Sequence, residues 1–261
     1  MGTSSERRPN PGRLLELRVA DDPSAWAAAG FAVDGDVAVV DPVSIRFTGR
    51  PDDGAPRGIT GWALAGVSVS DGSLDGLPTD CRSNVEPRST TGPPSDPVPA
   101  HPNGTVGLDH VVVLTPDLDR TIAACEAAGL ELRRVRDTAM NGSPMRQAFF
   151  KLGPVVLEVV SGDVGTGLPA EEAPATFFGL AVDVDDLDAT ASALGDGLGR
   201  IKAAVQPGRR IGTIRTKGFG ISVAIAAMDH HGDRTGGPTV DQTEDPTGGP
   251  AADRTPAEDG R

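Results

Sequence analysis

Two stretches of this chain, 69 residues apart, read almost alike. VLTPDLDRT at 113–121 aligns with VDVDDLDAT at 182–190, and each sits on a β-rich run, HVVVL in one copy and LAVDV in the other. A repeat constrains the fold more than composition does, because each copy is one supersecondary unit too small to bury its own apolar face. Both copies spell strand, cap, helix. In the first, Thr115 is placed to N-cap, Pro116 suits the first helical position, and Asp117 and Asp119 lie where the helix dipole favours negative charge. Leu118, Ile122 and Cys125 then recur at helical spacing as a buried stripe, and Gly129 ends the helix.

The segments after each helix repeat as well. In the first copy LELRRVRD, RQAFFKLG and PVVLEVVSG read as three strands, the last two joined in a hairpin through Gly153-Pro154. The second copy runs FFGLAVDV, a helix from about Asp186 to Leu194, then strands near GRIKAAV, IGTIRTK and GISVAIAAM. Each unit is therefore βαβββ. The N-terminal part reads as a shortened third copy: LLELRVADD, a short helix PSAWAAAG, then FAVDGDVAVVD, PVSIRFTG and GITGWALAGV. Aligning Asp22 with Asp117 makes its helix four residues shorter before the closing glycine, Gly30 against Gly129. The expected class is α+β, with paired βαβββ modules forming curved mixed sheets around a shared cavity and the shortened unit at the N-terminus.

Composition sets the boundaries. Residues 1–12 read as a disordered tail, 13–70 as the truncated module, 71–104 as a Pro/Ser/Gly-rich linker, 105–229 as the two-module domain and 230–261 as a disordered acidic tail. A net charge of -13 disfavours nucleic acid and anionic membranes, which need a positive footprint. No run approaches the ~20 apolar residues needed to cross a bilayer, and the N-terminus lacks a signal peptide's apolar core, so the chain reads as soluble and cytoplasmic. Cys81 lies in a polar stretch and Cys125 on an apolar helical face, a pattern against a structural disulfide. Asn103 and Asn141, in NGT and NGS, read as turns, and His101, His230 and His231 fall in weakly patterned segments that suggest no role.

The strand opening with LDH, the PDLD helix start, the VLEVV strand and the second copy's DDLD, in this order and spacing, resemble the vicinal oxygen chelate superfamily of glyoxalase-like, bleomycin-resistance-like and extradiol-dioxygenase-like proteins. The resemblance covers about Gly107 to Met228 well and about Leu14 to Val69 weakly. It implies, in metal-dependent members, four side chains on one divalent ion, one each from the first and last strands of two paired modules. Here the first copy supplies His110 and Glu158. The second puts Gly179 at the histidine position and Ala224 at the carboxylate position, and the N-terminal unit offers Leu15 and an ITGWALAGV strand without acid or imidazole.

The residues leave two readings of His110 and Glu158 open. They hold a divalent metal (Mn, Fe, Ni or Zn), with Gln147 or Asp163 as a third donor, or they form a metal-free hydrogen-bonded pair able to transfer protons or recognise a polar ligand. Gln147 and Phe149 are candidate pocket walls, subject to the alternation that lets only every other residue of RQAFFKLG face inward. Arg209 and Arg210, beside a Pro-Gly turn, form a candidate clamp for a carboxylate or phosphate, against the plainer reading of a solvated hairpin loop. Trp26 and Trp62 read as packing of the small unit against the main domain. Two functions follow: a glyoxalase-like lyase or isomerase, or a dioxygenase-like enzyme, acting on a small oxygenated metabolite through an incomplete metal site; or a metal-free protein that binds a small molecule in the manner of the bleomycin-resistance-like branch.

Overall fold

The computed structural model describes residues 12–51, 57–83, 100–140, 143–162, 165, 167–170 and 172–230. The two tails, apart from Gly12 and His230, and the centre of the expected linker lie outside these residues. The N-terminal part contains β1 (Arg13–Val19), α1 (Pro23–Ala28), β2 (Val37–Val40), β3 (Val43–Phe47), β4 (Ile59–Ala65), β5 (Ser73–Leu74) and β6 (Leu77–Arg82). The first repeat copy follows as β7 (Thr105–Thr115), α2 (Leu118–Ala127), β8 (Leu132–Met140), β9 (Ser143–Leu152) and β10 (Val155–Ser161). The second comprises β11 (Thr176–Val184), α3 (Leu187–Leu194), β12 (Lys202–Ala203), β13 (Arg209–Ile214), α4 (Thr216–Phe219) and β14 (Ala224–His230). Among the described residues no helix is long and apolar enough to cross a membrane.

The two copies share one eight-stranded sheet, ordered β12-β13-β14-β11-β7-β10-β9-β8. Within each copy the last strand runs parallel to the first, β10 on β7 and β14 on β11, and the copies meet where β7 pairs antiparallel with β11. The α+β class and the modular sheet are as the repeat implies. Caps differ in detail. Asp117 rather than Thr115 caps α2, its carboxylate accepting from the Arg120 N–H, while the Thr115 hydroxyl accepts from the Asp117 N–H two residues on. An ionised oxygen is the stronger acceptor and wins the cap. In the second copy β12 has only two residues, and TKG lies in the short helix α4 rather than in a strand.

The N-terminal sheet differs more from its sequence reading. Its order is β2-β3-β1-β4-β6-β5. β3, not β4, runs parallel to β1, so β1-α1-β2-β3 already closes one stripped-down unit. β4 pairs antiparallel on the other edge of β1, as β11 does on β7, and it opens a second half-unit completed by β5 and β6. Nearly every residue of β4 is buried, and such a run fits a first or a last strand equally; only pairing decides. The start of the expected linker thus belongs to this sheet. Leu74 and Leu77 are buried around a tight turn at Asp75-Gly76, both residues at positive φ. α1 is six residues long against ten for α2, the four-residue shortening expected from the repeat.

One apolar core joins the two sheets. Trp62, Leu64, Val40 and Ile45 from the first and Val111, Val113, Leu157 and Val182 from the second all belong to it. Trp26 and Trp62 are fully buried, and Trp62 meets Phe177 of β11 edge-on at 5.1 Å. His101 and Asn103 are buried, not loose. The His101 ring sits between the Ala32 N–H and the Val39 carbonyl, at 2.9 Å from each, while the Asn103 amide donates to the Ala29 carbonyl. Asn141 and His231 lie outside the described residues.

Candidate functional site

Alternation along the paired strands sorts the eight-stranded sheet into a core face and an open face. Val111, Val113, Leu157 and Val159 are buried on the first. On the second, Glu158 stands in one row with Phe149 and Val112, and Val156 in the next with Lys151 and His110. Gln147 follows on the same face of β9, while Phe150 points into the core. His110, Glu158, Gln147 and Phe149 therefore do come together.

Asp109 joins them because β7 is not regular there. Leu108 pairs with Val182 and His110 with Ala181, which leaves Asp109 as the extra residue of a bulge. A bulge breaks alternation, so two consecutive side chains stay on one face. The Asp109 carboxylate lies 2.5 Å from His110 Nδ1. His110 Nε2 is 3.7 Å from a Glu158 oxygen, each side chain being 17% exposed. Gln147 Nε2 donates to the other Glu158 oxygen at 2.6 Å. Arg209 reaches the same face, with NH1 at 2.5 Å from Asp109 Oδ1 and NH2 on Asp183 of β11.

These contacts fix charges and protons. Burial pushes the Asp109 carboxyl up, but hydrogen bonds from His110 and Arg209 outweigh it and bring the group down to about 2. An ionised Asp109 can only accept, so Nδ1 of His110 carries a proton and the ring is held with Nε2 turned to the open face, toward Glu158. Burial raises the Glu158 carboxyl above its ordinary value, reinforced by Asp109 and opposed by His110. Asp183 is likewise raised, by burial and then by Asp109. The set is an imidazole oriented by an ionised carboxylate, beside a second carboxyl that holds its proton more readily than usual.

Arg210 is not part of this set. It points to the opposite face, where it binds Asp229 at 2.6 Å and Asp188 at 2.9 Å. Asp229 in turn accepts from the Leu187 N–H at the start of α3. The expected two-arginine clamp fails because neighbours on one strand face opposite ways, and Arg209 is already engaged by two carboxylates. Asp109, Asp183 and Arg209's role as their counter-ion were not visible in sequence, since a regular strand would turn Asp109 away from His110.

The metal reading requires further donors from the second copy, and the structure tests this directly. Gly179 and Ala181 of β11 and Ala224 and Ala226 of β14 occupy the facing positions. By register Ala226, not Ala224, is the counterpart of Glu158. Any side chain at Gly179 would put its Cβ 2.3 Å from the Ala224 carbonyl oxygen. Among the described residues no three His, Cys, Asp or Glu side chains are grouped to hold a metal. The Gln147 amide is turned to donate to Glu158, and Asp163 lies outside the described residues. His110 and Glu158 alone do not fit a resident Mn, Fe, Ni or Zn ion.

Residues 109–213 match the model of the Glyoxalase/Bleomycin resistance protein/Dioxygenase superfamily. The chain is similar in structure to a mutant 4-hydroxymandelate synthase from Streptomyces coelicolor, with 14% identity, 87% of this chain and 95% of that one covered, and a TM-score of 0.58. It is also similar to homoprotocatechuate 2,3-dioxygenase from Arthrobacter globiformis, with 13% identity, 85% and 80% covered, and a TM-score of 0.51. At such identities the likeness concerns the fold, and its coverage takes in both sheets. No protein in a curated set of sequences matches the chain.

Proposed function

We propose that the open face of the eight-stranded sheet, whose residues 109–213 match the model of the Glyoxalase/Bleomycin resistance protein/Dioxygenase superfamily, binds a small oxygenated metabolite and moves a proton on it without a metal. The observation that carries this reading is the line Asp109–His110–Glu158, with contacts of 2.5 and 3.7 Å. Asp109 holds the imidazole in one tautomer, as an orienting carboxylate does in proton-transfer dyads. Nε2 then takes a proton from a carbon or hydroxyl beside a carbonyl, and Glu158, whose raised affinity for a proton suits an acid, returns one to the oxygen side. Gln147 fixes the rotamer of Glu158 by its hydrogen bond.

The test is solvent deuterium uptake. The full chain is incubated in D2O with chelator and a panel of hydroxyketones and 2-oxo acids, and exchange at the carbon beside the carbonyl is followed by proton NMR. Exchange should persist with chelator and fall about a hundredfold in His110→Ala and Glu158→Gln. Exchange that His110→Ala leaves unchanged, or that the chelator abolishes, sinks the proposal.

A second reading is sequestration of a small molecule without turnover. It is favoured by the second copy, which brings only Gly179, Ala181, Ala224 and Ala226 to the facing positions. Saturable binding of a panel compound with no deuterium uptake would select it.

A further inference from the structure

The stretch of the open face that carries only glycine and alanine opposite His110 and Glu158 is not bare. Gly179 and Phe178 are the repeat counterparts of His110 and Asp109, at the same 69-residue offset. β11 is bulged at that very place: Phe177 pairs with Val113 and Gly179 with Val112, leaving Phe178 as the extra residue. The irregularity that keeps Asp109 beside His110 thus recurs, and it turns Phe178 out of alternation onto the open face. Phe178 is 54% exposed, the most exposed large hydrophobic side chain among the described residues. Its neighbour Gly179 has no side chain to cover it, and Ala224 beside them is small.

The register gives this ring an address. Gly179, Val112, Glu158 and Phe149 lie in one row across four adjacent strands. Two strand spacings, about 10 Å, separate the Phe178 bulge from Glu158. That distance suits one small molecule with an oxygen-bearing head at His110 and Glu158 and a flat apolar body reaching Phe178.

We propose that Phe178 is a specificity-determining residue: with Gly179, Ala181, Ala224 and Ala226 it makes an apolar wall on the face, and its exposed ring takes the flat apolar end of the ligand whose oxygens lie at His110 and Glu158. This rests on the proton-transfer reading for the position of the head. A ring stacked on Phe178 adds contact area and a favourable ring-ring geometry, while a head group alone leaves the wall in water.

Two probes with the same hydroxyketone head separate the contributions, hydroxyacetone and 2-hydroxyacetophenone, which carries a phenyl ring in place of the methyl group. Their dissociation constants for the full chain are measured by ligand-observed NMR titration. The wild type should prefer the phenyl probe by about tenfold, and Phe178→Ala should bring the ratio close to one. Phe178→Leu, which keeps apolar bulk, should leave an intermediate ratio. His110→Ala should weaken both probes and preserve the ratio. A wild type that does not bind the phenyl probe, or a ratio that Phe178→Ala leaves unchanged, overturns the assignment. Failure of the proton-transfer reading shows separately, as deuterium uptake indifferent to His110→Ala.

Discussion

His101 shows how one side chain converts geometry into pH dependence. Its Nδ1 accepts from the Ala32 N–H and its Nε2 donates to the Val39 carbonyl, so only the neutral ring satisfies both contacts. Burial lowers its pKa below the ordinary histidine value. The folded chain binds this proton less readily than the unfolded chain, so the contribution to stability is complete above the ordinary histidine range and fades as pH falls through the folded value. Melting temperature should drop between pH 7 and 5, and His101→Gln, less stable at pH 7, should show a shallower drop. Parallel slopes for the two proteins would refute the assignment. Gly179 makes an opposite kind of statement: with its would-be Cβ 2.3 Å from a backbone oxygen, Gly179→Ala should cost about 1–3 kcal/mol in denaturant unfolding. A histidine placed there to rebuild a metal site meets the same obstacle.

At the scale of elements, the three helices that open on an aspartate cap were the most legible part of the sequence, and the strand irregularities and the short α4 the least. Asp22, Asp117 and Asp186 each cap a helix, and the DLD pattern that announces two of them lies in the chain for anyone to read. The meeting of His110 with Glu158 on one face was what the family resemblance implied, and the register of β7 on β10 produces it. The bulges at Asp109 and Phe178 did not follow, because alternation assumes the regularity that they break, and half of the site hangs on them. The β5–β6 hairpin was within reach: LDGL carries the two-residue turn signal, but the proline and serine around it read as linker. Contacts also tie elements together after they form. Asp229 holds Arg210 of β13 and the first N–H of α3 at once, and it is almost fully buried. Asp229→Ala should cost about 1–3 kcal/mol, since it leaves the first N–H of α3 unsatisfied and takes from Arg210 its buried carboxylate, Asp188 remaining. Arg210→Ala in the same background should add little, which a double-mutant cycle in urea would measure.

At the scale of the whole molecule the issue is whether the two sheets are one folding unit. The sequence suggested a small module packed on a main domain through its tryptophans, and the contacts between sheets are more numerous than that. Asp21 accepts from the Ser222 N–H at 3.1 Å and from its hydroxyl at 2.5 Å, and the same hydroxyl accepts from the Gly58 N–H. At another corner Asp75, in the β5–β6 turn, binds Arg120 at 2.7 Å and the Thr121 hydroxyl, both on α2. Between them the Trp62–Phe177 contact and a continuous apolar core fill the interface. Separating the sheets would expose that core, leave Asp21 only the Trp26 N–H and take Arg120 and Thr121 from Asp75, so a state with one sheet folded and the other open has little to hold it. Both tryptophans belong to the N-terminal part, so their fluorescence reports that part and, through Trp62, its contact with β11. Hydrogen exchange of β7, β10, β11 and β14 reports the other. The two readouts should give one midpoint and one slope in urea, and Asp75→Ala should move both midpoints down together. Loss of the tryptophan signal at a clearly lower urea concentration, with the eight-stranded sheet still protected, would mean that the sheets are separate units and that the N-terminal one is dispensable to the site on the open face.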